Sequence, residues 1–304
     1  MTTSETVAPA PTVVGPVTKP GLLLRQSVQR RLAAVAVYAL LLGLSFIFLI
    51  PLAWMLSTAL KSSGEVFLWP PKWIPDVLHW ENFTRVFVAV PFGAYIVNTL
   101  IIVFWNILGN LISCSLVAFA FARLRFPGRN FLFGLLIATL MIPGTVLTIP
   151  TFILFKLLGW YNTYLPLIVP SFFGSAFYIF LLRQYMLTLP LDLDDAARID
   201  GASWLQILLR IILPLCKAPL TIIIVFTFMG CWNDLMGPLI YVNDPDKYTV
   251  AVGLAMFKDA TMANRTDWTA LMAASLMSIL PIMVIYYFAQ KHLIGGIASV
   301  GLKG

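Results

Sequence analysis

Uncharged, mostly apolar runs long enough to cross a bilayer recur along this chain, and they constrain its fold more than any motif does. Leu32–Leu60, Asn130–Phe155, Leu157–Leu182 and Trp268–Gln290 contain no Asp, Glu, Lys or Arg. A helix needs about 20 apolar residues to span the hydrocarbon core. Val86–Ala122 exceeds that need, so Pro91 and Gly93 place its first part outside the lipid. Ala218–Asn233 is shorter and continues past a lone Asp234 to Tyr241. Lipid offers the backbone no hydrogen-bond partners, so each span must satisfy its own N–H and C=O groups as a helix. The expectation is an all-α integral membrane protein with six transmembrane helices.

Charge supports the class and sets the orientation. Only 11% of the residues are charged, less than half of the roughly 25% usual in soluble domains. With the N-terminus inside, the inner segments hold thirteen of the twenty Lys and Arg residues and the outer segments seven. That bias puts both termini in the cytoplasm and the protein in the inner membrane as a multi-pass component. It also accounts for the net charge of +7. The basic residues flank spans instead of forming one patch, which argues against nucleic-acid binding. Residues 1–31 form a basic tail, proline-rich up to Pro20 and expected to be disordered, ahead of a membrane domain over 32–304. Arg30-Arg31 ahead of an apolar run imitates an export signal, but the run is too long for one and no cleavage-like site follows.

What is missing narrows the chemistry. His79 and His292 have no second histidine or cysteine nearby, and Cys114, Cys216 and Cys231 have no CxxC spacing, so neither a metal set nor a disulfide is indicated. No Gly-Lys dipeptide occurs, hence no P-loop. No carboxylate pair lies within a span, where an ion-coupled carrier would keep one. No nucleophile, base and oxyanion set can be assembled, so no enzyme activity and no cofactor are expected. Energy for uphill transport would have to enter from another subunit.

One segment breaks the apolar pattern. Asp192, Asp194, Asp195 and Asp200 supply four of the thirteen carboxylates, within the cytoplasmic stretch that joins the fourth and fifth spans. Pro190 ends the fourth span, and Asp192 or Asp194 can cap a short helix. Gly201 suits a left-handed position just past that helix. Ser203 and Gln206 have the S-x-x-Q spacing of a capping box that opens a second helix. Trp204, Ile207, Leu208 and Ile211 give the second helix an apolar face. Pro214 marks the turn into the fifth span. The product is a helix–turn–helix over about 190–214. The residues alone leave two uses open, an interfacial hairpin with solvated carboxylates or a docking element.

The order Asp195-Ala196-Ala197, Gly201-Ala202, Ile211-Ile212-Leu213-Pro214 resembles the EAA loop of binding-protein-dependent ABC importer permeases. The resemblance runs from about residue 32 to the end and is nearest to the six-span, maltose-type carbohydrate-uptake branch. Leu60-Lys61, Pro70-Pro71, Pro75 and Glu81-Asn82-Phe83 match the first outer loop. Asn98-Thr99-Leu100 opens the second span and Arg123-Phe126-Pro127-Gly128 closes it. Cys231-Trp232-Asn233-Asp234 is similar to a W-N-acidic motif of the fifth helix. The resemblance implies a coupling helix that docks on a cytoplasmic ATPase through Asp195, Ala196, Ala197, Arg198, Asp200, Gly201, Ala202, Leu213 and Pro214. The family usually has Glu where this chain has Asp195, a shorter side chain. The resemblance also implies a tail, about 292–304, that reaches the ATPases through Gly301, Lys303 and Gly304.

Trp232, Asn233 and Asp234 pair an aromatic face with hydrogen-bonding groups, as a sugar contact requires. A cap by Asn233 and interfacial anchoring by Trp232 is the other reading of the same residues. Trp69, Trp73 and Trp80 read as interfacial anchors of the first outer loop. Pro143, Pro150, Pro166, Pro170 and Pro281 predict bends in or beside the third, fourth and sixth spans.

Together these features lead to one expectation: a permease subunit of an ATP-driven sugar importer, lying in membrane lipid. Its implied partners are a second homologous permease, two copies of an ATPase subunit and an extracytoplasmic sugar-binding protein, free or lipid-anchored. A permease for glycerol phosphate or another polyol conjugate is the alternative within the class. A stand-alone channel or secondary carrier is the alternative outside it.

Overall fold

The computed structural model describes residues 20–260 and 267–301, with side chains described for 29–255 and 267–291. All regular structure among these residues is helical. The chain divides into two compact units, residues 1–54 and 55–304.

In the first unit the described residues belong to α1 (Pro20–Ala59), whose stretch Gln29–Ala59 is long and apolar enough to span a membrane. Helix therefore begins at Pro20, ahead of Leu32. Proline is well suited to a first helical position, where its missing N–H costs nothing. Residues 1–19 of the expected tail lie outside the described residues.

The second unit opens with α2 (Glu81–Ala89) and α3 (Phe92–Arg123). Pro91 stands at the N-cap of α3, so the long apolar run does break at the proline, while Gly93 lies inside the helix. Next come α4 (Arg129–Thr139) and α5 (Gly144–Leu157), which meet at 96°. The apolar run Asn130–Phe155 is thus a bent pair, with the bend falling beside Pro143 as its proline predicts. Pro143 disfavours helix at the residue before it and cannot donate to the preceding turn, so α4 stops short of it.

The fourth apolar stretch is helical from Leu165, later than Leu157, because Gly159 and Asn162 hold left-handed turns ahead of it. It is also broken: α6 (Leu165–Ile168), a 3-10 turn (Val169–Phe173), Gly174 at φ 84°, then α7 (Ala176–Leu187). Side chains of α3 satisfy the groups freed by the break. Asn106 Nδ2 donates to Leu167 O at 2.8 Å, and the one Ser113 hydroxyl proton is shared between Gly109 O at 2.7 Å and Ser171 O at 3.1 Å. Gly109 permits this approach, since a Cβ there would overlap Ser171 Oγ and the Phe172 ring.

After a hairpin, α8 (Asp192–Ile199) to α10 (Leu213–Leu215) with α9 (Trp204–Ile207) between them, come α11 (Lys217–Trp232), α12 (Met236–Tyr241), α13 (Val250–Ala260) and α14 (Trp268–Gly301). Four helices are long and apolar enough to cross a membrane, or up to six if each bent pair is one span. The chain is a multi-pass membrane protein.

Helix α3 is the centre of the second unit, packed on α7, α11 and the 3-10 turn. Its two ends lie in two buried clusters. One gathers Phe119, Phe121 and Ala122 with Leu182, Met186, Ile207 and Ile212. The other gathers Phe92, Tyr95 and Val103 with Phe228, Trp232 and Ala274. At the second end, Asn98 Nδ2 donates to Asp246 O and Tyr248 O, and Val250 N donates to Thr99 Oγ1 at 2.9 Å. Asn98-Thr99 therefore pins the loop between α12 and α13. Asn162 fastens the same loop from another side: its Oδ1 accepts from Asn243 N and Asp244 N, both at 3.1 Å.

Candidate functional site

The hairpin fixes its own shape. Past α8, Gly201 takes φ 82°, Gly201 N donates to Arg198 O and Ala202 N to Ala197 O at 2.9 Å. These two bonds close a Schellman turn, which uses carbonyls the helix end would otherwise leave unpaired. A Cβ on Gly201 would meet nothing within 4 Å, so the glycine serves the backbone angle alone. Ser203 and Gln206 form both bonds of the capping box, Ser203 N to Gln206 Oε1 at 2.8 Å and Gln206 N to Ser203 Oγ at 3.4 Å. The Arg198 guanidinium sits 4.8 Å from the Trp204 ring centroid and joins the two arms.

The second arm contains an unforeseen π-helical turn, Leu208–Ile212, and then α10 with Pro214 near its start. Trp204–Leu215 meets Lys217–Trp232 at 81°, so the chain does turn just past Pro214. Leu213 packs against the buried cluster while Pro214 is exposed.

The first arm departs from expectation. Leu191 occupies the N-cap of α8, and no side chain caps it. Asp192 and Asp194 lie within the first turn, where their charges still suit the helix dipole. Asp194 faces inward: its Oδ2 lies 3.1 Å from Nε of Arg123, the last residue of α3, with the two side chains 6% and 1% exposed. Arg123 Nη2 also donates to Leu189 O at 3.1 Å. Burial pushes the Asp194 carboxyl above its ordinary range; Arg123 opposes that rise and Asp195 adds to it. Ala197 is the other buried residue of α8. Asp195, Ala196, Arg198, Ile199 and Asp200 are exposed and form the open face. Ile199, 86% exposed, is an apolar tip left uncovered among the described residues.

Arg123 ends a span and Asp194 has the position of a cap, but no local signal in the sequence links residues so far apart.

The structure separates the three members of the Trp232 motif. Trp232 is 2% exposed, stacked on Phe228 at 5.2 Å, with Nε1 donating to Ser278 O at 3.0 Å. Its N–H and the ring's contact with Phe228 are thus taken up in packing. Asn233 is exposed at the C-cap of α11, with Nδ2 donating to Met229 O. Asp234 Oδ1 accepts from Gly237 N and so caps the next turn. Trp232 and Asn233 border a cleft of about 370 Å³ with Leu235, Leu254, Ser275 and Ser278, and no charged group lines it among the described residues. Of the expected tail contacts, Gly301 ends α14, while Lys303 and Gly304 lie outside the described residues.

Comparison with known proteins bears on the family of the chain. Residues 111–298 match the family described as binding-protein-dependent transport system inner membrane component. The diacetylchitobiose uptake system permease protein NgcG of Streptomyces coelicolor is 29% identical over 90% of this chain and 90% of its own length. The sn-glycerol-3-phosphate transport system permease protein UgpE of Escherichia coli is 34% identical over 86% of this chain and 94% of its own. The arabinooligosaccharides transport system permease protein AraQ of Halalkalibacterium halodurans is 34% identical, covering 82% and 86%. A bacterial ABC transporter involved in the import of the acidic polysaccharide alginate has a chain of the same fold, with TM-score 0.76 and 23% identity, covering 91% of this chain and 99% of that one.

Proposed function

We propose that this chain, which belongs to the binding-protein-dependent transport system inner membrane component family, is the permease subunit of an ATP-driven importer for sugars. It forms half of the pathway, and a second homologous permease completes it. Six spans cross the inner membrane with both termini in the cytoplasm, each bent pair counting as one. Residues 1–31 are the tail and 32–304 the transport domain.

The single observation that carries the coupling assignment is the open face of α8. A self-capped hairpin presents Asp195, Ala196, Arg198, Ile199 and Asp200 to the solvent and holds only Asp194 and Ala197 inward. Such a face suits a cleft on each protomer of a cytoplasmic ATPase dimer, one cleft per permease. ATPase closure then displaces the hairpin, the spans rock, and the pathway opens alternately to each side. The segment 292–304, with Gly301, Lys303 and Gly304, reaches between the ATPases. A receptor protein outside, free or lipid-anchored, delivers the cargo.

A neutral sugar is favoured over a phosphorylated polyol. The cleft beside Asn233 offers an amide, two serines and apolar walls, and no Lys or Arg among its described lining. A phosphate dianion would leave its charge unpaired there. Asn233 is the member of the motif open to cargo, with Trp232 as its packed support and Asp234 as its cap.

The test is photo-crosslinking from Ile199 in cells that express the chain with its neighbouring subunits. A crosslink to an ATPase subunit is expected. Import by the purified chain alone in liposomes, with no ATPase present, would overturn the reading in favour of a channel or carrier.

A further inference from the structure

The open face of α8 says what the hairpin touches below, but not how a push on it reaches the spans. Helix α8 is poorly fastened. Pro190 and Leu191 precede it, Gly201 follows it, and its buried residues are Asp194 and Ala197. One buried alanine methyl is a small apolar contact and holds the helix only weakly. The second arm has its own anchorage, through Ile207, Leu208 and Ile212 in the buried cluster and an edge contact of Trp204 with Phe119. Gly201 lies between the two arms, so the second arm's anchorage does not fix the first.

We propose that Arg123 is the positioning residue that delivers displacement of α8 to α3. The assignment rests on the reading of α8 as the ATPase-docking element. One guanidinium grips two points, the Asp194 carboxylate on α8 and the Leu189 carbonyl ahead of it, so it fixes both the place and the direction of the helix. Lysine, a point charge on a flexible stem, would fix only the first. A buried pair contributes little net stability once its desolvation is counted. Its position, at the junction between a loosely held helix and the central span, gives it a use other than stability.

The load has a continuous path onward. Helix α3 carries Arg123 at one end and, about three to four turns back, Ser113 and Gly109. Ser113 and Asn106 hold the broken fourth stretch at Ser171 O and Leu167 O. A shift of α3 along its axis therefore acts on the segment where the fourth stretch is not continuous helix.

The test uses the assembled complex of this chain, its partner permease and its ATPase in proteoliposomes. Spin labels are placed at Ile199→Cys on α8 and Leu116→Cys on α3, both exposed positions. Distances are measured without nucleotide and after trapping with ATP and vanadate. With Arg123 intact, one α8–α3 distance is expected in both states, because the two helices move together. With Arg123→Met, a second, shifted distance appears on trapping. The charge-swapped double variant Arg123→Asp, Asp194→Arg returns the population towards the single distance. A double variant Arg123→Met, Asp194→Leu replaces the pair with apolar packing that a fold tolerates, and it too shows the second distance.

If that apolar double keeps one distance in both states, packing alone carries the load and the role of Arg123 is wrong. If wild type already shows two distances, the link is not rigid and the proposal fails. If no ATPase co-purifies with the wild-type chain, the docking reading fails first and takes this one with it. The two failures are told apart by whether the ATPase is present.

Discussion

Ala202 donates its backbone N–H to the carbonyl of Ala197 at 2.9 Å, across a glycine that no neighbour crowds. The hairpin turn is therefore set by backbone angle and not by packing. At Gly201, Asn should serve nearly as well as Gly, Ala less well, and Val worst. A left-handed residue with a Cβ costs about 1–2 kcal/mol, more when branched. Amide exchange at Ala202 checks the order: protection should fall from Gly to Asn to Ala to Val. Equal protection in Gly201→Val would show that the turn is held from elsewhere.

The buried pair should respond unequally to loss of its two members. Arg123 cannot shed its charge, so Asp194→Asn strands a buried cation. Arg123→Met leaves a carboxylate that can take up a proton instead. Burial nevertheless favours an uncharged group at position 194, so Asp194→Asn should destabilise little. Arg123→Met, which keeps the carboxylate and removes its cation, should destabilise more, as read from melting of the detergent-solubilised protein at neutral pH.

The same carboxyl gives a pH signature. Burial holds Asp194 above its ordinary range in the folded hairpin. The protonated form is therefore favoured by folding, and that stabilising contribution is complete below the unfolded value of about 3.9. It is lost as pH rises through the elevated folded value. Acidification from neutral pH should thus increase hairpin protection in hydrogen exchange. In Arg123→Met the opposing attraction is gone, so the gain should begin at higher pH. Asp194→Asn should abolish it.

Gly109 and Ser113 should fail in different ways. Gly109→Ala forces the broken fourth stretch away from α3, an overpacking expected to cost about 1–3 kcal/mol. Ser113→Ala only removes a hydrogen bond within the membrane, worth about 0.6 kcal/mol on average. Thermal stability in detergent should fall clearly for the first and barely for the second.

Asn162 joins a left-handed backbone, φ 60°, to a side chain that accepts two amides of the loop between α12 and α13. Asn162→Gly keeps the angle and loses the acceptor, whereas Asn162→Ala loses both. Limited proteolysis within residues 242–249 should rise for Gly and rise further for Ala. If the two are cut alike, the angle contributes nothing.

Much of this architecture could be seen in the sequence because its causes are local. Uncharged runs announced the spans, and Gly201, Ser203 and Gln206 announced the turn and the cap, since each acts within four residues of itself. The misses have the opposite character. A run such as Asn130–Phe155 reports apolar length and not direction, so the 96° bend at Pro143 was invisible as an angle. Asp194 reads as a cap because caps are local, while its partner Arg123 is reached only through the packing of α3. Trp232 looked like a surface aromatic, but its N–H is spent on a carbonyl of α14.

A turn that closes on its own backbone and capping bonds keeps its form wherever it is transplanted, yet here its aim is set from a different helix. Shape and bearing are thus encoded in separate parts of the chain, and substitutions can retune one without redrawing the other. A graft of residues 190–214 into a relative should arrive folded but point correctly only if an arginine waits at the end of the recipient's second span.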